Sequence, residues 1–115
     1  MSSTKGDALK AEAERILTRT SVLSSVFGFG NTQKYEDAAE KFTKAGNAYK
    51  LANLWQSAGE MFLQASDCHS KLDSASETVN AIVEAGNCFK KVNPVDAIQG
   101  RNALILKIKL QTHTK

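Results

Sequence analysis

One short pattern occurs three times in this chain: A-G-N-A-Y-K at residues 45–50, A-S-D-C-H-S at 65–70 and A-G-N-C-F-K at 85–90. Each copy begins with alanine and has an aromatic residue or histidine at its fifth position. The copies start 20 residues apart, and a fixed period is typical of proteins built from repeated structural units. Upstream of these segments the same period relates Phe42, Phe62 and Ile82, and also Ala38, Ala58 and Thr78.

Within each repeat the apolar positions are three and four residues apart, the spacing that lines one face of an α-helix. Asn53 and Asp73–Ser74 are short polar breaks between the repeats, and connections this short predict antiparallel packing of neighbouring helices. We therefore expect three repeat helices within residues 34–92. The predicted core-facing residues are Tyr35, Ala38, Phe42, Ala45, Tyr49, Trp55, Ala58, Phe62, Ala65, Cys68, Val79, Ile82, Ala85, Gly86 and Phe89.

An uncharged apolar segment, V-L-S-S-V-F-G-F-G at residues 22–30, precedes the repeats. An amphipathic pattern predicts a helix over residues 7–20, and the serines and glycines that follow predict a loop over residues 21–33. Bulky apolar side chains in a loop require an explanation, because loops usually lie on the surface. The loop either folds back over the end of the helical stack or inserts shallowly into a membrane surface, which would give weak and reversible binding.

The tail, residues 93–115, departs from the repeat. Asn93, Pro94 and Asp96 are typical of a helix start, whereas Gly100 interrupts the pattern. The following stretch partly alternates, so a buried helix and an edge strand both fit it. A terminal repeat without a neighbour exposes an apolar face. We expect the apolar residues of the tail either to pack on the helix near residues 75–92 or to drive self-association; they are Leu104, Ile105 and Leu106.

Composition indicates one small globular domain: 115 residues, of which 42% are hydrophobic and 23% charged. No apolar stretch has the roughly 20 residues needed to span a bilayer, and no signal-peptide pattern opens the chain, so we expect a cytoplasmic protein. The net charge of +3 arises in the tail, because no acidic residue follows Gly100. A nucleic-acid partner is not expected, since the repeats carry no basic stripe.

Catalytic and metal-binding patterns are absent from the sequence. Cys68 and Cys88 form no C-x-x-C pair. They occupy the same position of the 20-residue repeat as Ala48, so we interpret them as reduced core residues. His69 occupies the repeat position that holds Tyr49 and Phe89 in the other copies, which favours a partly buried structural histidine over a metal ligand. The sequence predicts neither an enzyme nor a cofactor.

Three stretches together resemble the N-terminal part of the soluble NSF attachment proteins, the alpha-SNAP family. They are S-V-L-S-S-V-F-G-F-G at 21–30, the run from A-A-E-K-F-T-K-A-G-N-A-Y-K to W-Q-S-A-G-E-M-F-L-Q-A within 38–65, and V-E-A-G-N-C-F-K-K-V-N-P-V-D-A-I at 83–98. The resemblance covers roughly residues 8–99. It implies an all-α fold, a tetratricopeptide-like stack of antiparallel helical hairpins forming a right-handed α-solenoid. The two-helix period of 40 residues, rather than 34, favours this family over a true tetratricopeptide repeat.

The resemblance also implies a function: an adaptor in vesicle trafficking that binds SNARE complexes of the syntaxin type and recruits the ATPase NSF to disassemble them. It implies a peripheral location on membranes of the secretory or vacuolar pathway. Relatives engage NSF through an acidic C-terminal region that has no counterpart after Gly100, so we expect impaired NSF activation from a truncated form. The alternative is a generic tetratricopeptide-like scaffold for protein interactions.

The positions of this chain that match functional positions of the family give the expected site residues. In relatives the apolar loop touches the membrane, and basic residues on one face of the helical layer contact the acidic SNARE bundle. The membrane-contact positions are Val22, Leu23, Val26, Phe27 and Phe29. The partner-binding positions are Lys50, Lys90 and Lys91.

Overall fold

A computed structural model describes residues 3–27, 31–92 and 105–110 of the chain. Its four principal helices are α1 (Thr4–Phe27), α2 (Asn31–Leu51), α3 (Trp55–Lys71) and α4 (Ala75–Phe89). No strand occurs among the described residues. Helix α1 packs on α2, α2 on α3 and α3 on α4. The predicted all-α stack of antiparallel hairpins is therefore confirmed, and within it each helix rests mainly on its neighbours in sequence.

The two repeat boundaries have the same backbone geometry. Asn53 and Asp73, which are 20 residues apart, both adopt the left-handed conformation, with φ of 61° and 57°. Asparagine and aspartate tolerate this region better than other residues with a side chain. The Leu54 amide donates to the Tyr49 carbonyl at 2.9 Å, and the Ser74 amide makes the equivalent bond to the carbonyl 5 residues before it at 3.0 Å. Each helix thus ends in a Schellman motif, which satisfies its last carbonyls and reverses the chain.

The 20-residue repeat forms the core. Residues of equivalent phase are buried in each repeat, with Phe42, Phe62 and Ile82 only 1%, 3% and 6% exposed. Alanines at other repeat positions, such as Ala45, Ala65 and Ala85, are fully buried, and their small size allows the helices to approach closely. The prediction for Val79 is wrong, because this side chain is 56% exposed. Val79 follows the buried Thr78 by one residue, and successive helical side chains diverge by about 100°.

Two glycines set the helix spacing. A methyl group at Gly59 would come within 2.5 Å of the Phe89 ring, and one at Gly46 within 2.8 Å of the Phe62 ring. A Cβ atom at either position would force the ring away. Glycine is therefore required at these places by the close approach of an aromatic side chain on the next helix.

The first helix is longer than the sequence pattern predicts. Helix α1 begins at Thr4 and ends at Phe27, so the predicted boundary at residue 20 is wrong. The segment 21–33, predicted as a loop, is helical over 21–27 and again from Asn31. Val22, Leu23, Val26 and Phe27 follow i, i+1, i+4 and i+5 spacing, which suits a helix, and no glycine or proline lies between Gly6 and Gly28.

The tail is described only over residues 105–110, which are helical. This excludes the edge-strand alternative for that stretch, while the helix start predicted at Asn93 and the residue Leu104 lie outside the described residues. Ile105 and Leu106 are 50% and 59% exposed, so the packing alternative is wrong for these two. The tail instead meets α3 through an ion pair between Lys107 and Asp67. Self-association remains a prediction.

A hydrogen bond holds the start of α1 against the end of α2. The Tyr49 hydroxyl donates to the Asp7 carboxylate at 2.5 Å, and Gly6 leaves room for the Tyr49 ring, which would lie 2.8 Å from a methyl group there. Burial, and then the bond to Asp7, raises the pKa of Tyr49 from 10.0 to about 12. The protonated phenol is therefore stabilised in the folded chain.

We expect Tyr49→Phe to lower the free energy of unfolding by about 1.5 kcal/mol, because the substitution removes this hydrogen bond and little volume. A raised folded-state pKa stabilises the fold fully below the ordinary value near 10, and the effect is lost as the pH rises through about 12. Urea unfolding of both proteins between pH 7 and 12 measures this. An equal fall of stability with pH in both proteins would contradict the role of Tyr49.

Candidate membrane-contact and partner-binding surfaces

The predicted site residues that the structure describes lie at opposite ends of the helical layer. Because neighbouring helices are antiparallel, the end of α2, the start of α3 and the end of α4 share one end, which we call the lysine end because it carries Lys50, Lys90 and Lys91. The end of α1, the start of α2 and the α3–α4 turn share the other, the apolar end. Helix α2 has 21 residues, so the two ends are about 30 Å apart.

At the lysine end, Lys50 is engaged within the protein. Its ammonium lies 3.3 Å from a carboxylate oxygen of Glu84 and 5.8 Å from the centroid of the Phe62 ring. The side chain is 35% exposed. Helices α2 and α4 are thus connected across α3 by this ion pair, and much of the Lys50 charge is already compensated.

Lys90 and Lys91, at the same end, are more available than Lys50 for binding a partner. Both are exposed residues just beyond the last turn of α4, where positive charge is favoured by the helix dipole. The Lys91 ammonium lies 5.1 Å from the centroid of the Trp55 ring, a cation–π contact that holds the side chain at the start of α3. A cavity of about 290 Å³ opens between the α2–α3 turn and the end of α4, and Trp55, Gln56 and Lys91 line it.

Two neighbours of these lysines could not be identified from the sequence. Glu84, on α4, is the ion-pair partner of Lys50. Gln56 has a buried Oε1 atom without a hydrogen-bond partner among the described residues, and it lines the cavity beside Lys91. Both relations join different helices, so no local spacing indicates them.

The cysteines have the environment predicted for core residues. Cys68 and Cys88 are both buried and unpaired. Burial raises the pKa of the Cys68 thiol to about 11. Burial also raises the pKa of Cys88, while the nearby Lys50 and Lys91 act in the opposite direction. Thiols in this state are poor nucleophiles at neutral pH.

At the apolar end, the structure places four of the five predicted membrane-contact residues on the last two turns of α1. Val22, Leu23, Val26 and Phe27 belong to the helix, whereas Phe29 lies outside the described residues. The apolar segment therefore continues a helix that projects toward this end of the layer. None of the described helices combines the length and the apolar character needed to cross a bilayer.

Comparisons with known proteins agree on one family. The sequence profile of the family "Soluble NSF attachment protein, SNAP" matches residues 4–106. A beta-soluble NSF attachment protein from Bos taurus is 43% identical over 98 residues, which are 84% of this chain and 32% of the relative. The human alpha-soluble NSF attachment protein is 39% identical over 105 residues, 91% of this chain and 34% of the relative.

A more distant relative is the vesicular-fusion protein SEC17 of Komagataella phaffii, which is 31% identical over 101 residues, 88% of this chain and 34% of the relative. The chain thus spans about a third of the length of the curated relatives that it matches.

Proposed function

Because this chain belongs to the soluble NSF attachment protein family, we propose that it is a non-catalytic adaptor that binds SNARE complexes and takes part in recruiting NSF to them. Membership supports the broader role in vesicle transport and membrane fusion, since relatives are named for NSF attachment and vesicular fusion. The finer role rests on the arrangement of the two candidate surfaces.

The separation of the apolar end from the lysine end is the observation that carries the proposal. A bundle of SNARE helices anchored in a bilayer rises away from the lipid surface. With the apolar segment of α1 at that surface, Lys90 and Lys91 would stand about 30 Å above it, beside the acidic flank of the bundle. One adaptor would then contact both the membrane and the bundle.

The three lysines do not contribute equally in this proposal. Lys50 already pairs with Glu84, and a new anion would have to compete with that carboxylate. Lys90 and Lys91 are exposed and form no ion pair in the described part of the chain. Exposed charges at an interface rim act mainly on the rate of association and on its salt dependence. We therefore assign the main electrostatic contribution to Lys90 and Lys91.

We expect Lys90→Gln plus Lys91→Gln to weaken binding of a soluble, preassembled SNARE bundle about fivefold, chiefly through slower association at low salt. Surface plasmon resonance at several salt concentrations measures this. The matched control is Lys44→Gln plus Lys71→Gln, which removes the same charge from exposed positions outside the lysine end and is expected to leave bundle binding unchanged. Equal weakening by both pairs would show that only net charge matters and would contradict a site at the lysine end.

The second candidate is a tetratricopeptide-like scaffold that binds a peptide without a membrane. The cavity beside Trp55 and the unpartnered Gln56 Oε1 atom favour it, because a peptide amide could donate to this acceptor. The scaffold should bind its partner equally well in solution and on vesicles. The adaptor should bind better when the bundle is in a bilayer.

A further inference from the structure

A cavity of about 400 Å³ lies at the apolar end, between α1, α2 and α3. Its volume is in the range of sites that hold small ligands or head groups. One wall comes from the last described side chains of α1, and the opposite wall from the end of α3. The lining residues are Leu17, Lys34, Tyr35, Gln64, Asp67, Cys68 and Lys71.

Lys34 is the unusual member of this lining. It is only 8% exposed, although lysine is rarely buried without a partner. Its ammonium lies 5.1 Å from the centroid of the Tyr35 ring, and that contact leaves the charge uncompensated. Within the described residues no carboxylate forms an ion pair with Lys34. A nearly buried ammonium that lines a cavity is positioned to receive an anion.

The charges around the cavity are predominantly positive. Lys71, at the end of α3, is close enough to lower the pKa of Cys68 against the larger effect of burial. Among the described lining residues Asp67 is the acidic one, and Lys107 already pairs with it. Two lysines therefore face the cavity without a carboxylate that neutralises them in the described part of the chain.

We propose that this cavity binds the phosphate head group of an anionic glycerophospholipid, with Lys34 and Lys71 as its cationic ligands. A phosphate has several acceptor oxygens and can accept from both ammonium groups at once. The lipid source follows from position, because Leu17 of the lining lies about 8 Å along α1 from Val22, where the apolar segment begins. The assignment of a lipid rests on the proposed membrane contact, whereas the anion site itself does not.

Flotation with vesicles of phosphatidylcholine, with and without phosphatidic acid, tests this proposal. We expect the full chain to prefer vesicles with phosphatidic acid at least fivefold, and Lys34→Gln plus Lys71→Gln to abolish that preference. The matched control, Lys90→Gln plus Lys91→Gln, should retain it. Lys71→Gln alone changes an exposed residue and should reduce the preference about twofold, which guards against misfolding caused by a change at the buried Lys34.

Vesicles that carry a carboxylate amphiphile separate phosphate recognition from attraction to negative charge, and an equal preference for them would overturn the proposal. So would an unchanged preference in the Lys34 and Lys71 variants. Titration with glycerol phosphate, followed by amide chemical shifts, tests the source. Binding of the soluble compound without a vesicle preference would overturn the lipid assignment. Bundle binding by the lysine end is measured without lipid, so its failure would leave this result standing.

Discussion

Phe42→Ala is expected to lower the free energy of unfolding by about 3 to 5 kcal/mol, the usual cost of removing a buried phenylalanine. Phe42 is 1% exposed and lies in the middle of α2, which packs on both α1 and α3. In a linear stack each helix is stabilised mainly by its neighbours, so a cavity here weakens two of the three contacts. Since the total free energy of unfolding of a domain this size is only about 5 to 15 kcal/mol, the variant should be partly unfolded at 37 °C.

Leu51→Ala is the matched control, because Leu51 belongs to the same helix and is 87% exposed. Its effect should stay within about 0.5 kcal/mol. Urea unfolding followed by circular dichroism measures both changes, with Phe42→Ala expected to shift the midpoint strongly. A small effect of Phe42→Ala together with an unchanged slope would contradict the core assignment that rests on the repeat.

Phe27→Ser plus Phe29→Ser is expected to weaken capture of the chain by liposomes carrying a preassembled SNARE bundle at least tenfold. Burial of one phenylalanine side chain contributes about 1.5 to 3 kcal/mol when complete, and shallow insertion realises part of this for each residue. Such binding is weak and reversible even in the wild-type chain, so the loss of two rings should remove most of it. Co-flotation with and without the bundle measures the effect.

The control for this experiment removes two apolar side chains elsewhere. Leu51→Ser plus Val83→Ser changes residues that are 87% and 55% exposed and lie outside the apolar segment. Capture of this control should equal that of the wild type. If both double variants lose capture equally, nonspecific apolar adsorption to the liposomes explains the binding. If neither variant loses capture, the generic scaffold becomes the better interpretation.

Local pattern is sufficient to predict the repeat helices and the turns between them. The positions of Asn53 and Asp73 predict the turns because these residue types adopt left-handed backbone conformations at low cost. The repeat position shared by Phe42, Phe62 and Ile82 predicts that these side chains are buried, because one face of each helix must pack on the neighbouring helix. The local pattern does not predict the end of α1: its serines and apolar residues indicate a loop, although no glycine or proline lies between Gly6 and Gly28.

The candidate surfaces were predicted only as separate sets of residues. The sequence indicates which lysines and which apolar residues match the family positions, but their separation by about 30 Å follows from antiparallel packing. The compensation of Lys50 by Glu84, 34 residues away, likewise depends on α2 and α4 meeting across α3. No spacing along the chain contains that information.

By itself, then, the sequence determined the helical class, the 20-residue period and most of the core, because these depend on which side chains recur on one face of a helix. The tertiary structure alone decided which charges are compensated and which remain available. Lys34 shows the difference: in the sequence it is an ordinary lysine near the start of a helix, and in the fold it is 8% exposed and faces a cavity between three helices. The field at a charged group depends on distances between elements, which arise only when the helices pack.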